Sequence, residues 1–123
     1  MNENIILKSR MVQMMSIKQL KSIEELNDFV QQPGKHLLLK HSTTCPISAK
    51  ANEEFQSFVN ENETTSAAMV LVIEDRPVSN HIAEEFEIKH ESPQILLFDD
   101  GKVSWNTSHW KITRDSIKEA LNA

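Results

Sequence analysis

Hydrophobic residues along the chain fall into two patterns, short continuous runs and runs with helical spacing. A short apolar run between turn residues is typical of a buried strand, and apolar residues three or four positions apart mark one face of a helix. These patterns predict strands at residues 17–20, 36–40, 68–73, 95–99 and 103–106. They also predict helices over residues 22–32, 45–61, 77–86 and 113–121. The alternation of the two kinds of element indicates an α/β fold.

Two signals indicate how the strands are arranged. The run 68–73 is too continuous for a half-exposed strand, so we expect a central strand that is parallel to its neighbours. Asp100 and Gly101 predict a hairpin turn, which makes the last two strands antiparallel. We expect one domain over residues 17–123, preceded at residues 1–16 by an N-terminal arm or extra element of unknown role.

Composition excludes several classes of function. The net charge is −5 and no block rich in lysine and arginine occurs, which argues against a nucleic-acid partner. The apolar runs are far too short to cross a bilayer, so we expect no membrane partner. The chain shows no signal-peptide core, and a lone cysteine cannot form an internal disulfide, so the expected location is a reducing cytoplasm. A monomer is favoured.

Cys45 is the only cysteine, and it follows a predicted strand and opens a predicted helix. Pro46 suits the first helical position, which makes Cys45 the N-cap residue. Free backbone donors and the positive end of the helix dipole would favour its thiolate, the reactive form of cysteine. The alternative is a small hydrophobic residue that fills the core, the usual fate of a free cysteine. Ser48 stands where a C-x-x-C motif carries its second, resolving thiol.

The order of elements, with a cysteine opening the second helix, resembles the thioredoxin fold over nearly the whole chain from Ile17. Thioredoxin-like proteins carry a cis-proline before the fourth strand, facing the reactive cysteine, and Ser92 and Pro93 match that position. The Thr-Cys-Pro-Ile-Ser motif at residues 44–48 resembles that of the YtxJ-type monothiol bacilliredoxins. The resemblance implies a thioredoxin-like α/β fold with a central mixed sheet flanked by helices.

The resemblance to bacilliredoxins also implies an activity. Cys45 would take bacillithiol from a mixed disulfide with a protein, and a second thiol would regenerate the cysteine. Bacillithiol would be a co-substrate with no other cofactor, and the partners would be bacillithiol and bacillithiolated proteins. Two features of thioredoxin are missing: its second cysteine, and the buried acid of its second strand, where Leu37, Leu38 and Leu39 stand. Both absences disfavour a dithiol reductase.

Residues close to the cysteine in sequence are candidates for supporting its chemistry. Ser48, one helical turn away, could donate a hydrogen bond to the thiolate or lie in solvent, and the two roles carry equal weight. Thr43 and Thr44 could donate to a bound small thiol or shape the turn, and the turn role is favoured. Lys40 and His41 could stabilise the thiolate or cover the sheet.

A second group of candidates follows the predicted hairpin. The hairpin returns its far end toward Pro93 and the cysteine, so Ser92, Ser108 and His109 are expected to bind the small thiol. His109 or Lys111 would supply positive charge. For any one of these residues an exposed loop position is slightly favoured, whereas for the group as a whole binding is favoured.

Two other classes of function stay open at this point. A thioredoxin-like module with an unreactive cysteine would only present a binding surface. A carrier of the monothiol glutaredoxin type, which also lacks the second cysteine, would share an iron–sulfur cluster between two protomers. His81, Glu84 and Glu85 loosely resemble a helical metal site, but a polar helix face explains them better and no metal is assigned.

Overall fold

The computed structural model describes residues 17–123, which fold into one mixed five-stranded sheet with helices packed on both faces. The predicted arm at residues 1–16 lies outside the described residues. The strands are β1 (Ile17–Gln19), β2 (Lys35–His41), β3 (Ser66–Leu71), β4 (Gln94–Asp99) and β5 (Lys102–Ser108). The helices are α1 (Ile23–Gln31), α2 (Pro46–Glu61), α3 (Arg76–Glu85) and α4 (Arg114–Asn122), with a 3-10 turn, His109–Lys111, before α4. The predicted α/β class is confirmed.

The strands lie in the order β1-β3-β2-β4-β5, which puts β2 in the middle of the sheet. β3 is parallel to both of its neighbours, as predicted, and β4 is antiparallel to β2 and β5. β3 is an interior strand rather than the middle one, and it ends at Leu71, two residues before the predicted end. It ends there because the Leu71 carbonyl accepts the Asp75 N–H at 2.8 Å, in a turn that leads into α3.

Alternate residues of β2 face opposite layers of the core, because side chains of a strand alternate between its two sides. Leu38 belongs to the layer that contains residues of α1 and α3. Leu37 and Leu39 belong to the layer that contains residues of α2 and α4. All three side chains are fully buried, and each contributes about 1.5–3 kcal/mol to folding. β2 is therefore held from both sides, and it supplies a rigid base for the residues that follow it.

The β4–β5 hairpin returns the chain to the beginning of β4. Asp100 and Gly101 have φ angles of 50° and 84°, as a tight two-residue hairpin turn requires, so the predicted turn is confirmed. The register between the strands shifts between Leu97 and Phe98, where Ser104 has no residue of β4 directly opposite it. Because of this shift, Ser108 at the end of β5 pairs with Gln94 at the start of β4.

Candidate active site

Cys45 is the N-cap residue of α2, as predicted, and Pro46 lies in the first turn of that helix. The backbone of Cys45 is held twice: its N–H donates to the Ser42 carbonyl at 3.3 Å, and its carbonyl accepts the Ala49 N–H at 3.0 Å. The side chain is half-buried and makes no capping hydrogen bond to the helix. Two backbone hydrogen bonds therefore fix the position of Cys45, and its sulfur makes no hydrogen bond to the helix.

Ser48 lies one turn into α2 and is fully buried. Its Oγ accepts the Ser42 N–H at 2.8 Å and lies 2.8 Å from His41 Nδ1. The expectation that this serine lies in solvent is therefore wrong, because its hydroxyl joins the first turn of α2 to the end of β2. The other role considered for Ser48, a hydrogen bond to the thiolate, stays a prediction.

His41 is the last residue of β2 and is buried. Burial lowers the pKa of its imidazole below the ordinary value of 6.5, and the charge of Glu74 and the backbone of Ser48 oppose this shift in part. The imidazole is consequently neutral at pH 7. Of the two roles considered for His41, stabilisation of the thiolate by positive charge is not supported by a neutral imidazole, and its observed contact is with the Ser48 hydroxyl.

Thr43 and Thr44 form an exposed turn between β2 and the cysteine. Thr44 Oγ1 lies 3.4 Å from Ser42 Oγ, a contact that stays within this turn. The placement agrees with the turn-shaping role favoured from the sequence. A donor role of Thr43 toward a bound thiol stays a prediction.

Ser92 and Pro93 complete the segment 89–93, here called the Pro93 loop, which leads directly into β4. The peptide bond between the two residues is cis, as predicted. Pro93 is buried, and its carbonyl accepts the His109 N–H at 3.1 Å. The Ser92 Oγ is buried without a hydrogen-bond partner among the described residues, so this hydroxyl does not face solvent. The contact expected between Pro93 and the cysteine stays a prediction.

The end of β5 lies beside the Pro93 loop, as the hairpin predicted. Ser108 pairs with the first residue of β4, and His109 follows with a φ of 54° at the start of the 3-10 turn. The Nε2 atom of His109 lies 3.8 Å from Glu91 Oε2. Trp110 is 67% exposed, and Lys111 beside it is exposed as well. The structure thus places Ser108 and His109 next to the Pro93 loop, while their role in binding a small thiol stays a prediction.

Lys40 is fully buried on the side of β2 that carries Leu38, away from α2. Its Nζ lies 3.1 Å from His90 Nδ1, and burial lowers the pKa of the lysine to about 8. Lys40 is therefore buried in the face of the sheet opposite α2, and a role in stabilising the thiolate stays a prediction. No sequence pattern identifies His90 as the partner of a buried lysine.

Two further features of residues 17–123 bear on function. None of their helices is long and apolar enough to cross a membrane. Nowhere among them do three histidine, cysteine or acidic side chains converge in a way that could hold a metal ion.

The chain matches the protein family described as "Monothiol bacilliredoxin BrxC" over residues 18–117. A solved structure whose description names a thioredoxin fold is 33% identical, with a TM-score of 0.83 over 88% of this chain and 96% of that chain. Oxidised mitochondrial thioredoxin 3 from Saccharomyces cerevisiae is 16% identical, with a TM-score of 0.70 over 89% of this chain and 97% of its own. Fasciola hepatica thioredoxin is 13% identical, with a TM-score of 0.69 over 86% of this chain and 97% of its own.

Fold and site together define the class of protein, a thioredoxin fold with a single cysteine at the start of α2 and a serine in place of the second thiol. The chain belongs to the monothiol bacilliredoxin family, because the family match extends over nearly all of the described residues. The family and the fold expected from the sequence are both confirmed. The two thioredoxins, at low identity, support the fold alone.

Proposed function

We propose that the protein is a thiol–disulfide oxidoreductase that removes bacillithiol from its mixed disulfides with proteins. The observation that carries the proposal is the position of Cys45, the only cysteine, half-buried at the start of α2. Ser48, which is hydrogen-bonded to Ser42, stands where a resolving thiol would stand. One thiol suffices for exchange with a mixed disulfide, and membership of the bacilliredoxin family supports bacillithiol as the small thiol.

The exchange takes place in two steps. The Cys45 thiolate attacks the bacillithiol sulfur of the mixed disulfide, the S–S bond breaks, and the protein thiolate leaves and takes a proton from water. Cys45 then carries bacillithiol in a new disulfide. The thiolate of a second bacillithiol attacks the sulfur of the bound one, which releases oxidised bacillithiol and returns the Cys45 thiolate. Cys45 is thus the attacking group in the first step and the leaving group in the second, at the N-terminal end of α2.

Recognition of a small anionic thiol requires hydrogen-bond donors and positive charge. Thr43 is exposed in the turn before the cysteine, Ser108 and His109 lie where β5 ends, and Lys111 is exposed in the following turn. We assign these four residues to the small thiol. The Ser92 backbone is assigned to the protein part of the substrate, which would pair with it as an added strand pairs with a sheet edge.

The proposal also implies where and with what the protein works. Its single thiol must return to the reduced state by exchange with a pool of small thiols, which places it in a reducing cytoplasm. Its partners are bacillithiol and bacillithiolated proteins, with no nucleic acid, membrane or bound cofactor involved. A monomer suffices, because Cys45 alone carries both steps.

The test is release of bacillithiol from a protein that carries it in a mixed disulfide, followed by intact-mass spectrometry. We expect the substrate to lose one bacillithiol for each Cys45 that gains one, with repeated turnover when reduced bacillithiol is present. Cys45→Ser is the matched control, because it keeps the side-chain volume and removes the nucleophile. Release by this variant above the uncatalysed rate would contradict the proposal.

Two other outcomes would favour the remaining classes of function. A brown protein with visible absorbance after purification would support an iron–sulfur carrier of the monothiol glutaredoxin type. A folded, colourless protein without exchange activity would support a binding module.

A further inference from the structure

Lys40 is a buried lysine that has no anionic partner within residues 17–123. Among the described residues its Nζ has one hydrogen-bond partner, His90 Nδ1 at 3.1 Å, and no carboxylate lies within ion-pair distance. A buried charge that lacks an opposite charge lowers stability, and an apolar side chain of similar size would not. Because Lys40 lowers the stability of the fold, its presence indicates a role other than stabilising the structure.

The contact of Lys40 is with the Pro93 loop, and a second buried side chain holds the same loop. Gln94 is the cross-strand partner of Lys40 on β4. Its Nε2 donates to the Lys89 carbonyl at 3.1 Å, and its Oε1 accepts the Glu91 N–H at 3.5 Å. Lys40 on β2 and Gln94 on β4 are therefore adjacent buried side chains that hold the first three residues of the loop. Lys40 contacts His90, and Gln94 contacts Lys89 and Glu91 on either side of it.

These three loop residues are connected to the proposed substrate site. The Glu91 carboxylate lies 3.8 Å from His109 Nε2, and the Pro93 carbonyl accepts the His109 N–H at 3.1 Å. Ser92 lies between Glu91 and Pro93 in the same loop. Residues 89–91 are therefore linked to the Ser92 backbone through the chain and to the His109 imidazole through Glu91.

The contact between Lys40 and His90 is strongest when the lysine is protonated and the imidazole is neutral. Burial lowers the pKa of Lys40 to about 8. Burial, followed by the charge of Lys40, lowers the pKa of His90 below 6.5; Glu91 opposes this shift and Arg76 adds to it. The register neighbours of Lys40 on β3 and β4 are both uncharged: Val70 and Gln94. Near neutral pH the Lys40 ammonium therefore donates to a neutral His90.

We propose that Lys40 is a positioning residue for the exchange reaction, which fixes the Pro93 loop through His90 and thereby places Ser92 and His109 for substrate. Lys40 itself touches no substrate, because it is buried. The inference rests on the proposed function. It assigns a part in that function to a residue on the face of the sheet opposite α2. The contribution is greatest between the pH at which His90 becomes neutral and the pH at which Lys40 loses its proton.

Lys40→Met tests the role, because methionine has a similar length and no charge. We expect the free energy of unfolding of this variant to equal or exceed that of the wild type, because the substitution removes a buried charge. We expect its KM for a bacillithiolated protein to rise about fivefold to tenfold, with little change in kcat. Lys118→Met, which removes the same charge from the exposed surface of α4, should change neither quantity.

Hydrogen exchange at the His109 amide tests the loop without reference to activity. This amide donates to Pro93, so we expect it to exchange faster in Lys40→Met than in the wild type. In the wild type, protection should also fall when His90 takes up a proton, because two donors then face each other. His90→Asn, which keeps an acceptor near the Nδ1 position and does not titrate, should retain the wild-type KM and lose this pH dependence.

The outcomes separate the two proposals. Wild-type protection of the His109 amide together with an unchanged KM in Lys40→Met would overturn the positioning role. If Lys40→Met fails to fold, His90→Leu removes the same contact from an exposed position and is judged by the same two measurements. Failure of the wild-type protein to release bacillithiol would contradict the proposed function, and amide exchange would then still report separately whether Lys40 holds the loop.

Discussion

The Ser48 hydroxyl and the Nδ1 atom of His41 lie 2.8 Å apart, both buried where β2 meets α2. The same oxygen accepts the Ser42 N–H. In a C-x-x-C protein this position holds a second thiol, whereas here a hydroxyl joins the helix that begins at Cys45 to the preceding strand. One serine thus removes dithiol chemistry and also fixes the backbone around the remaining thiol.

We expect Ser48→Ala to lower the free energy of unfolding by about 1–3 kcal/mol, because the Ser42 N–H and the His41 Nδ1 atom would be left buried without a partner. Urea denaturation at neutral pH measures the change. Ser79→Ala is the matched control: this serine is equally buried in α3, but its Oγ has no hydrogen-bond partner within residues 17–123. Equal effects of the two substitutions would show that the Ser48 hydrogen bonds contribute no net stability.

Ser48→Cys is expected to close an internal disulfide with Cys45 after attack on a mixed disulfide. The three-residue spacing puts the two side chains on one face of the first turn, within reach of each other. Intact mass should then show free bacillithiol and a protein lighter by two hydrogens. Ser57→Cys, three turns along α2, adds a thiol that cannot reach Cys45 and should leave the bacillithiol adduct in place. A lasting adduct in Ser48→Cys would mean that Ser48 is not placed as described.

Most of the features that were predicted from the sequence depend on short local sequence patterns. Pro46 and the preceding strand locate the N-cap cysteine, and Asp100 with Gly101 locates the hairpin. The burial of Lys40 and Ser48 was not predicted, because lysine and serine are mostly exposed in folded proteins. Their burial depends on partners that only the tertiary structure supplies, an imidazole from the Pro93 loop and a backbone N–H at the end of β2.

His41→Asn is expected to reduce the loss of stability at mildly acidic pH. The pKa of His41 lies below 6.5 in the folded protein, so as the pH falls the unfolded chain binds its proton first. The free energy of unfolding therefore decreases as the pH drops from about 6.5 toward the folded-state pKa, and below that value the loss is complete. Urea denaturation of both proteins over about pH 5–8 gives the difference curve. A difference that does not vary with pH would contradict a neutral, buried His41.

Cys45 is expected to discriminate between small thiols. Incubation with oxidised bacillithiol should give a single adduct on Cys45 that reduced bacillithiol removes, and oxidised glutathione should react more slowly. The physical reason is that Ser108, His109 and Lys111 would offer donors and positive charge to an anionic thiol in a chain that is acidic overall. His109→Ala should therefore slow the bacillithiol adduct more than the glutathione adduct, when intact mass is followed over time. Equal or faster reaction of the wild type with oxidised glutathione would remove the claim of specificity, and the redox role of Cys45 would still stand.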